Sequence, residues 1–159
     1  MSETVVTTVN GRVVETAVEA NELLLDFLRD RLGLIGARQS CEVQVCGTCT
    51  VLVDGMPVSS CTHLACDVDG KEVETIEGLV GTPLHDELSD AFVRHAAVQC
   101  GFCTPGMLLT AKALLGTEDV ATEEGTRRAM AGNLCRCTGY RSILDALTEV
   151  FDAHRTPRS

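Results

Sequence analysis

The spacing of apolar residues changes near the middle of the chain. Before residue 80 they come in short β-branched runs, "TVVTTV" (4–9), "TVLVD" (50–54) and "KEVETI" (71–76), which predict strands. Two Asp-Gly steps, Asp54-Gly55 and Asp69-Gly70, supply the residues that hairpins and tight turns need. One helix interrupts the strands, "NELLLDFLRDRLG" (21–33). It carries Leu24, Phe27, Leu28 and Leu32 on one side and Gly33 as its stop. The expected unit is a small sheet packed on a helix.

After residue 83 the period becomes helical. Leu84, Leu88, Ala91, Phe92 and His95 make one stripe, and Met107, Leu108, Ala111, Leu114 and Leu115 a second. Ile143, Leu144, Leu147, Val150 and Phe151 make a third. "TEEGTRRAM" (122–130) is a weaker helix, because Gly125 counts against it. These stripes predict a helix-bundle core. "GLVGTP" (78–83) is the expected joint, dividing residues 1–80 from 81–159. No internal repeat or low-complexity tract is visible.

Composition sharpens this picture at one point. The 159 residues allow one ordinary domain or two small ones, and aromatics make up only 3%, but there are nine cysteines. Small domains with limited apolar burial often add covalent or metal staples. Disulfides fit poorly. The start, "MSETVVTTVNG", shows no basic stretch followed by an apolar one, so no signal peptide is expected. No run approaches the roughly 18 apolar residues of a membrane span. A cytoplasmic chain keeps its thiols reduced, and its cysteines then serve as metal ligands or catalysts. An odd count points the same way.

The net charge of −10 argues against nucleic acid as a partner. It is unevenly spread: residues 1–80 carry 13 acidic and 5 basic side chains, residues 81–159 carry 10 and 8. An acidic front half suits docking to a basic protein surface, and equally suits a solvated face.

The cysteines divide at the joint. "CEVQVCGTC" places Cys41, Cys46 and Cys49 in a C-x4-C-x2-C pattern, with Cys61 eleven intervening residues later. That is the plant-type ferredoxin spacing for a 2Fe-2S cluster. Four thiolates are needed, and a tight loop brings three together while its N–H groups face the negative charge. Cys66 is the spare, expected as a small buried apolar residue. The second half reads C-x2-C-x31-C-x-C, with Cys100, Cys103, Cys135 and Cys137. Thr104 is the expected cap and Pro105 the first residue of a helix, so "CGFCTPG" puts both thiols at a helix start. There the helix dipole favours thiolates. "NLCRCTG" supplies the other pair just before the final helix.

Zinc is the competing reading. The pairs at 46/49 and 100/103 look superficially like a ribbon, but they lie 50 residues apart against the usual 15–20 or so. Two separate four-cysteine zinc sites remain open. A Rieske centre finds only its first half, in Cys61-Thr62-His63. His63, His85, His95 and His154 are scattered, as expected of structural or surface residues. No nucleotide-binding glycine loop and no catalytic nucleophile stand out.

"CEVQVCGTCTVLVDG", "SCTHLA", "QCGFCTPGML" and "GNLCRCTGYRSI" together resemble the small iron–sulfur subunit of the molybdenum hydroxylases, the xanthine oxidase family. The resemblance covers nearly the whole chain. It implies an α+β protein, in which a β-grasp 2Fe-2S ferredoxin-like domain (1–80) precedes a four-helix bundle that binds the second 2Fe-2S cluster (81–159). It also implies partners: a large subunit with molybdopterin, in its cytosine dinucleotide form, and a medium subunit with FAD, in trimers that pair. Electrons would pass from molybdenum through the C-terminal cluster and the ferredoxin-like cluster to FAD. By the same resemblance Gln99 and Cys137 lie against the molybdopterin. An amide, with donors and an acceptor, suits a polar heterocycle; bracing of the loop is the alternative role for Gln99. The alternatives for the whole chain are a stand-alone two-cluster carrier and a zinc-binding adaptor. Ser40, Gln44 and Thr48 replace small residues usual in the family's first loop. If position 44 requires a positive φ, Gln44 is strained by about 1 kcal/mol; the expectation is instead that the loop accommodates it, with altered hydrogen bonds to the cluster sulfurs. Arg136 and Arg141 are candidate partner contacts or simply exposed residues.

Overall fold

The computed structural model describes residues 2–155; Met1 and residues 156–159, the outer ends of the two expected halves, lie outside the described residues. Strands β1 (Ser2–Val9) and β2 (Arg12–Glu19) form an antiparallel hairpin in register from Ser2 opposite Glu19 to Val9 opposite Arg12. Asn10 and Gly11 close it with φ of 50° and 76°, the left-handed pair that matches the twist of a hairpin. Sequence reasoning missed β2 and this turn. The strand's apolar positions are diluted by Arg12, Glu15 and Glu19, and Val18 alone in it is buried. At a sheet edge that suffices.

Four further segments complete the sheet's surroundings. β3 (Thr50–Val53) and β4 (Met56–Ser59) form a second hairpin across Asp54-Gly55, as expected, with φ of 49° and 78°. β5 (Glu72–Glu74) runs parallel to β1 and antiparallel to β3, giving the order β2-β1-β5-β3-β4. Asp69-Gly70 makes a tight turn rather than a hairpin, with Lys71 N donating to Val68 O at 3.1 Å. Helix α1 begins at Leu24–Asp26 and continues as a π turn over Phe27–Arg31, and Gly33, at φ 69°, follows its end. Its Leu24, Leu25, Phe27 and Leu28 bury against Val5, Val9, Val18, Val51 and Val73.

A short α2 (Ile76–Leu79) closes the first half, and the second holds α3 (Pro83–Arg94), α4 (Thr104–Leu114), α5 (Glu123–Ala129) and α6 (Arg141–Ala153). Thr82 caps α3 by accepting from His85 N at 3.2 Å, with Pro83 in its first turn. Thr104 does not cap α4: Cys103 occupies that position without a side-chain cap bond. His95 does not join the apolar stripe either. It lies just past α3 and contacts Glu149 of α6 at 2.6 Å. α5 forms despite Gly125, because a Cβ there would stand 2.1 Å from Asp119 O. The glycine permits a close approach that outweighs its poor helix propensity.

Leu88, Phe92, Met107, Leu109, Ile143, Leu147 and Val150 form the helical core. Leu52 of β3 joins it and so stitches the sheet to the helices. Backbone packs directly at this seam. A Cβ on Gly106 would lie 2.3 Å from Gly47 O, and the buried Asn133 donates Nδ2 to that same oxygen at 3.1 Å.

Candidate metal centres

The first cysteine loop is shaped by two unusual backbones. Glu42 and Gln44 both have φ of 58°, a conformation that L residues seldom adopt. Such left-handed residues, set among neighbours without positive φ, turn successive N–H groups inward, the concave arrangement that binds anions. Val45 N and Cys46 N each donate to Cys41 Sγ at 3.4 Å. The N–H groups of Val43, Val45 and Cys46 hold the Cys41 thiol down at about 6. Cys61 follows β4 and is buried, and burial pushes its thiol up to about 11 against the opposing pull of the Gln44 N–H. Cys41 contacts Cys46, and Cys49 contacts Cys61. The four expected ligands therefore come together as two pairs. Cys66 packs against the sheet core but is only half-buried, less enclosed than expected of a spare cysteine.

The second quartet assembles where the start of α4 meets the loop before α6. Cys100 and Cys137 are exposed, with their sulfurs 3.6 Å apart. That is far beyond the roughly 2.05 Å of a disulfide. Two thiolates on one tetrahedral metal, with metal–sulfur bonds of about 2.3 Å, stand at close to this separation. Cys103 pairs with Cys135 in the same way; burial pushes Cys103 up to about 12. Burial also raises Cys135, but the Thr138 hydroxyl and the N–H groups of Cys137 and Thr138 outweigh it and leave its thiol lowered. Thr138 Oγ1 donates to Cys135 Sγ at 3.2 Å. Tyr140 Oη accepts from Cys135 N at 2.8 Å and fixes the turn into α6.

The donor set is what an iron–sulfur cluster needs: four thiols per site, gripped two and two, with N–H and O–H donors on their sulfurs. Among the described residues, no three Cys, His, Asp or Glu side chains converge on one point as a single ion requires. A dinuclear cluster does not ask for that, since each iron takes its own pair. Of the histidines, His85, His95 and His154 contact carboxylates, and His63 has a buried Nε2 with no partner.

The two quartets adjoin. Leu134 N, beside Cys135, donates to Cys46 O at 2.8 Å. A cleft of about 460 Å³ is lined by Ser40, Cys46 and Thr48 on one side and by the second quartet on the other. Gln99 is exposed and donates Nε2 to Cys137 O at 3.1 Å, so it does brace the loop. Arg136 is exposed at the cleft, whereas Arg141 is engaged by Glu123 at 2.9 Å and Asp145 at 2.8 Å. The Thr48 hydroxyl, 3.2 Å from Cys46 Sγ, went unforeseen as a contact. Its only sequence signal was a threonine where the family's loop is usually smaller.

Two family descriptions match stretches that overlap at residues 75–79: "2Fe-2S iron-sulfur cluster binding domain" over residues 7–79 and "2Fe-2S binding domain" over residues 75–148. The chain is 48% identical over 144 residues to the 6-hydroxypseudooxynicotine dehydrogenase complex subunit beta of Paenarthrobacter nicotinovorans, covering 90% of each chain. It is 40% identical over 155 residues to the xanthine dehydrogenase iron-sulfur-binding subunit of Escherichia coli O157:H7, covering 96% of this chain and 95% of that one. A chain in the crystal structure of quinoline 2-oxidoreductase from Pseudomonas putida 86 superposes with a TM-score of 0.88 at 44% identity, over 96% of both. With both cysteine quartets in order along a fold this similar, the chain belongs to the small two-cluster iron–sulfur subunits of the molybdenum hydroxylases, the xanthine oxidase family.

Proposed function

We propose that Cys41, Cys46, Cys49 and Cys61 hold one 2Fe-2S cluster and Cys100, Cys103, Cys135 and Cys137 the other, making this chain the electron conductor of its enzyme. The pairwise arrangement of eight thiols at two adjoining sites carries this reading. When bound, the clusters supply one-electron chemistry that side chains lack. The chain's own residues ligate, exclude water and point N–H groups at sulfur. In this reading the chain accepts electrons from a molybdopterin, in its cytosine dinucleotide form, on a large partner subunit. It delivers them to FAD on a medium subunit, within paired trimers in the cytoplasm. No helix among the described residues is long and apolar enough to cross a membrane.

Residues 1–80 form the β-grasp ferredoxin-like unit of this reading, and 81–159 the four-helix unit built on α3 to α6. Cys137 and Gln99 face the molybdopterin. With one amide proton on Cys137 O, Gln99 retains another donor and an acceptor for the heterocycle. Exposed apolar side chains surround this end: Val98, Phe102 and Leu134 are 41%, 43% and 46% exposed, as befits a surface that a partner covers.

Single substitutions test the ligand sets. Cys61→Ser and Cys103→Ser should each halve the iron and acid-labile sulfide bound per chain, whereas Cys66→Ser should leave both at the wild-type level. Full iron content in Cys61→Ser or Cys103→Ser would defeat the assignment.

A further inference from the structure

We infer that Arg38 is a fixed cation shared by both cysteine quartets, raising the reduction potential at each; the inference rests on the two-cluster reading above. Its backbone belongs to the first site. Arg38 N donates to Thr48 O at 3.1 Å, and Arg38 O accepts from Thr48 Oγ1 at 3.2 Å. That same hydroxyl lies 3.2 Å from Cys46 Sγ. A ligating thiolate carries no proton, so this last contact then exists as donation from Thr48, in competition with the Arg38 carbonyl. A charged acceptor wins such a competition.

The side chain of Arg38 reaches the second site. Its guanidinium carbon stands 5.8 Å from the ring centroid of Phe102, which immediately precedes Cys103. Phe102 and Thr48 line the cleft that Cys46 shares with the second quartet. The backbone of Arg38 is thus tied to the loop of one quartet, and its guanidinium lies over Phe102 at the cleft between that quartet and the other.

The charge lacks a protein counter-ion. Arg38 Nε is buried and has no hydrogen-bond partner, and among the described residues no carboxylate pairs with this guanidinium. Stacking on an aromatic ring is a weak substitute for one. A cluster held by four thiolates is anionic, and supplies the counter-charge that the polypeptide does not. Reduction places one more electron, and one more negative charge, on a cluster. A nearby fixed cation stabilises that reduced form more than the oxidised one.

The test is an EPR-monitored redox titration of the assembled enzyme as wild type, Arg38→Gln, Arg38→Lys and Phe102→Leu. Arg38→Gln should lower both midpoint potentials while two signals per chain persist, and Arg38→Lys should restore them toward wild type. Phe102→Leu leaves the charge but frees it, and should lower the potential of the C-terminal cluster. Wild-type potentials in Arg38→Gln, or a shift at one cluster only, would overturn the shared role. If Arg38→Gln loses a cluster, the other two variants decide: unchanged potentials in Phe102→Leu overturn the proposal. Fewer than two signals in the wild type would instead defeat the two-cluster reading itself.

Discussion

At the scale of single residues, the first cysteine loop trades backbone comfort for donors. Glu42 and Gln44 sit at φ 58°, each at a cost of about 1–2 kcal/mol for an L residue. In return four N–H groups, those of Val43, Gln44, Val45 and Cys46, reach the sulfurs of Cys41 and Cys61. Gln44 offsets part of its strain by accepting from Thr62 Oγ1 at 3.1 Å. Substitutions at this position should therefore rank by their tolerance of positive φ. Gln44→Gly should raise stability to denaturant by about 0.5–1 kcal/mol, and Gln44→Val should lower it by about 1–2 kcal/mol. Equal denaturation midpoints for the two would remove the strain argument. The sequence raised the question of strain at Gln44, because small residues are usual in that loop of the family, without deciding it. The strain at Glu42 was not legible, since neither polarity nor spacing records the sign of φ. The grouping of the cysteines was legible for the opposite reason: eight of them at fixed spacings, which the fold gathers at two sites, leave few other chemistries.

At the scale of elements, the two halves meet through Leu52 in the helical core and, at the cysteine loops, through direct backbone packing. Gly106 of α4 lies against Gly47 O, and Asn133 ties the loop before Cys135 to the same carbonyl. Adding a methyl group here must push the two cysteine loops apart. Gly106→Ala should destabilise the protein by about 1–3 kcal/mol. Gly132→Ala, whose Cβ would meet nothing within 4 Å, is the near-neutral control. A Gly106→Ala protein as stable as Gly132→Ala would show that the seam is loose. Helices α3, α4 and α6 were readable from their apolar period, and the β3–β4 turn from Asp54-Gly55. Strand β2 and the close approach at Gly125 were not. An edge strand buries too little to show a period, and a glycine needed for tertiary contact looks in sequence like one that breaks a helix.

At the scale of the whole molecule, the proposed docking end is the exposed side of the second quartet. Cys100 and Cys137 stand in the open beside Leu134 and Phe102, while Cys49, Cys61 and the sheet core are closed off. Leu134→Glu places a charge on this apolar rim and should abolish co-purification of the large subunit, with iron per chain unchanged. Retention of the partner would move the interface elsewhere. The central claim, two 2Fe-2S clusters on one chain, is tested most directly by EPR of the anaerobically reduced protein, with spins counted per chain. The account predicts two distinct 2Fe-2S signals and about two spins per chain, one from each quartet. A single signal, or no signal with stoichiometric zinc, would contradict it.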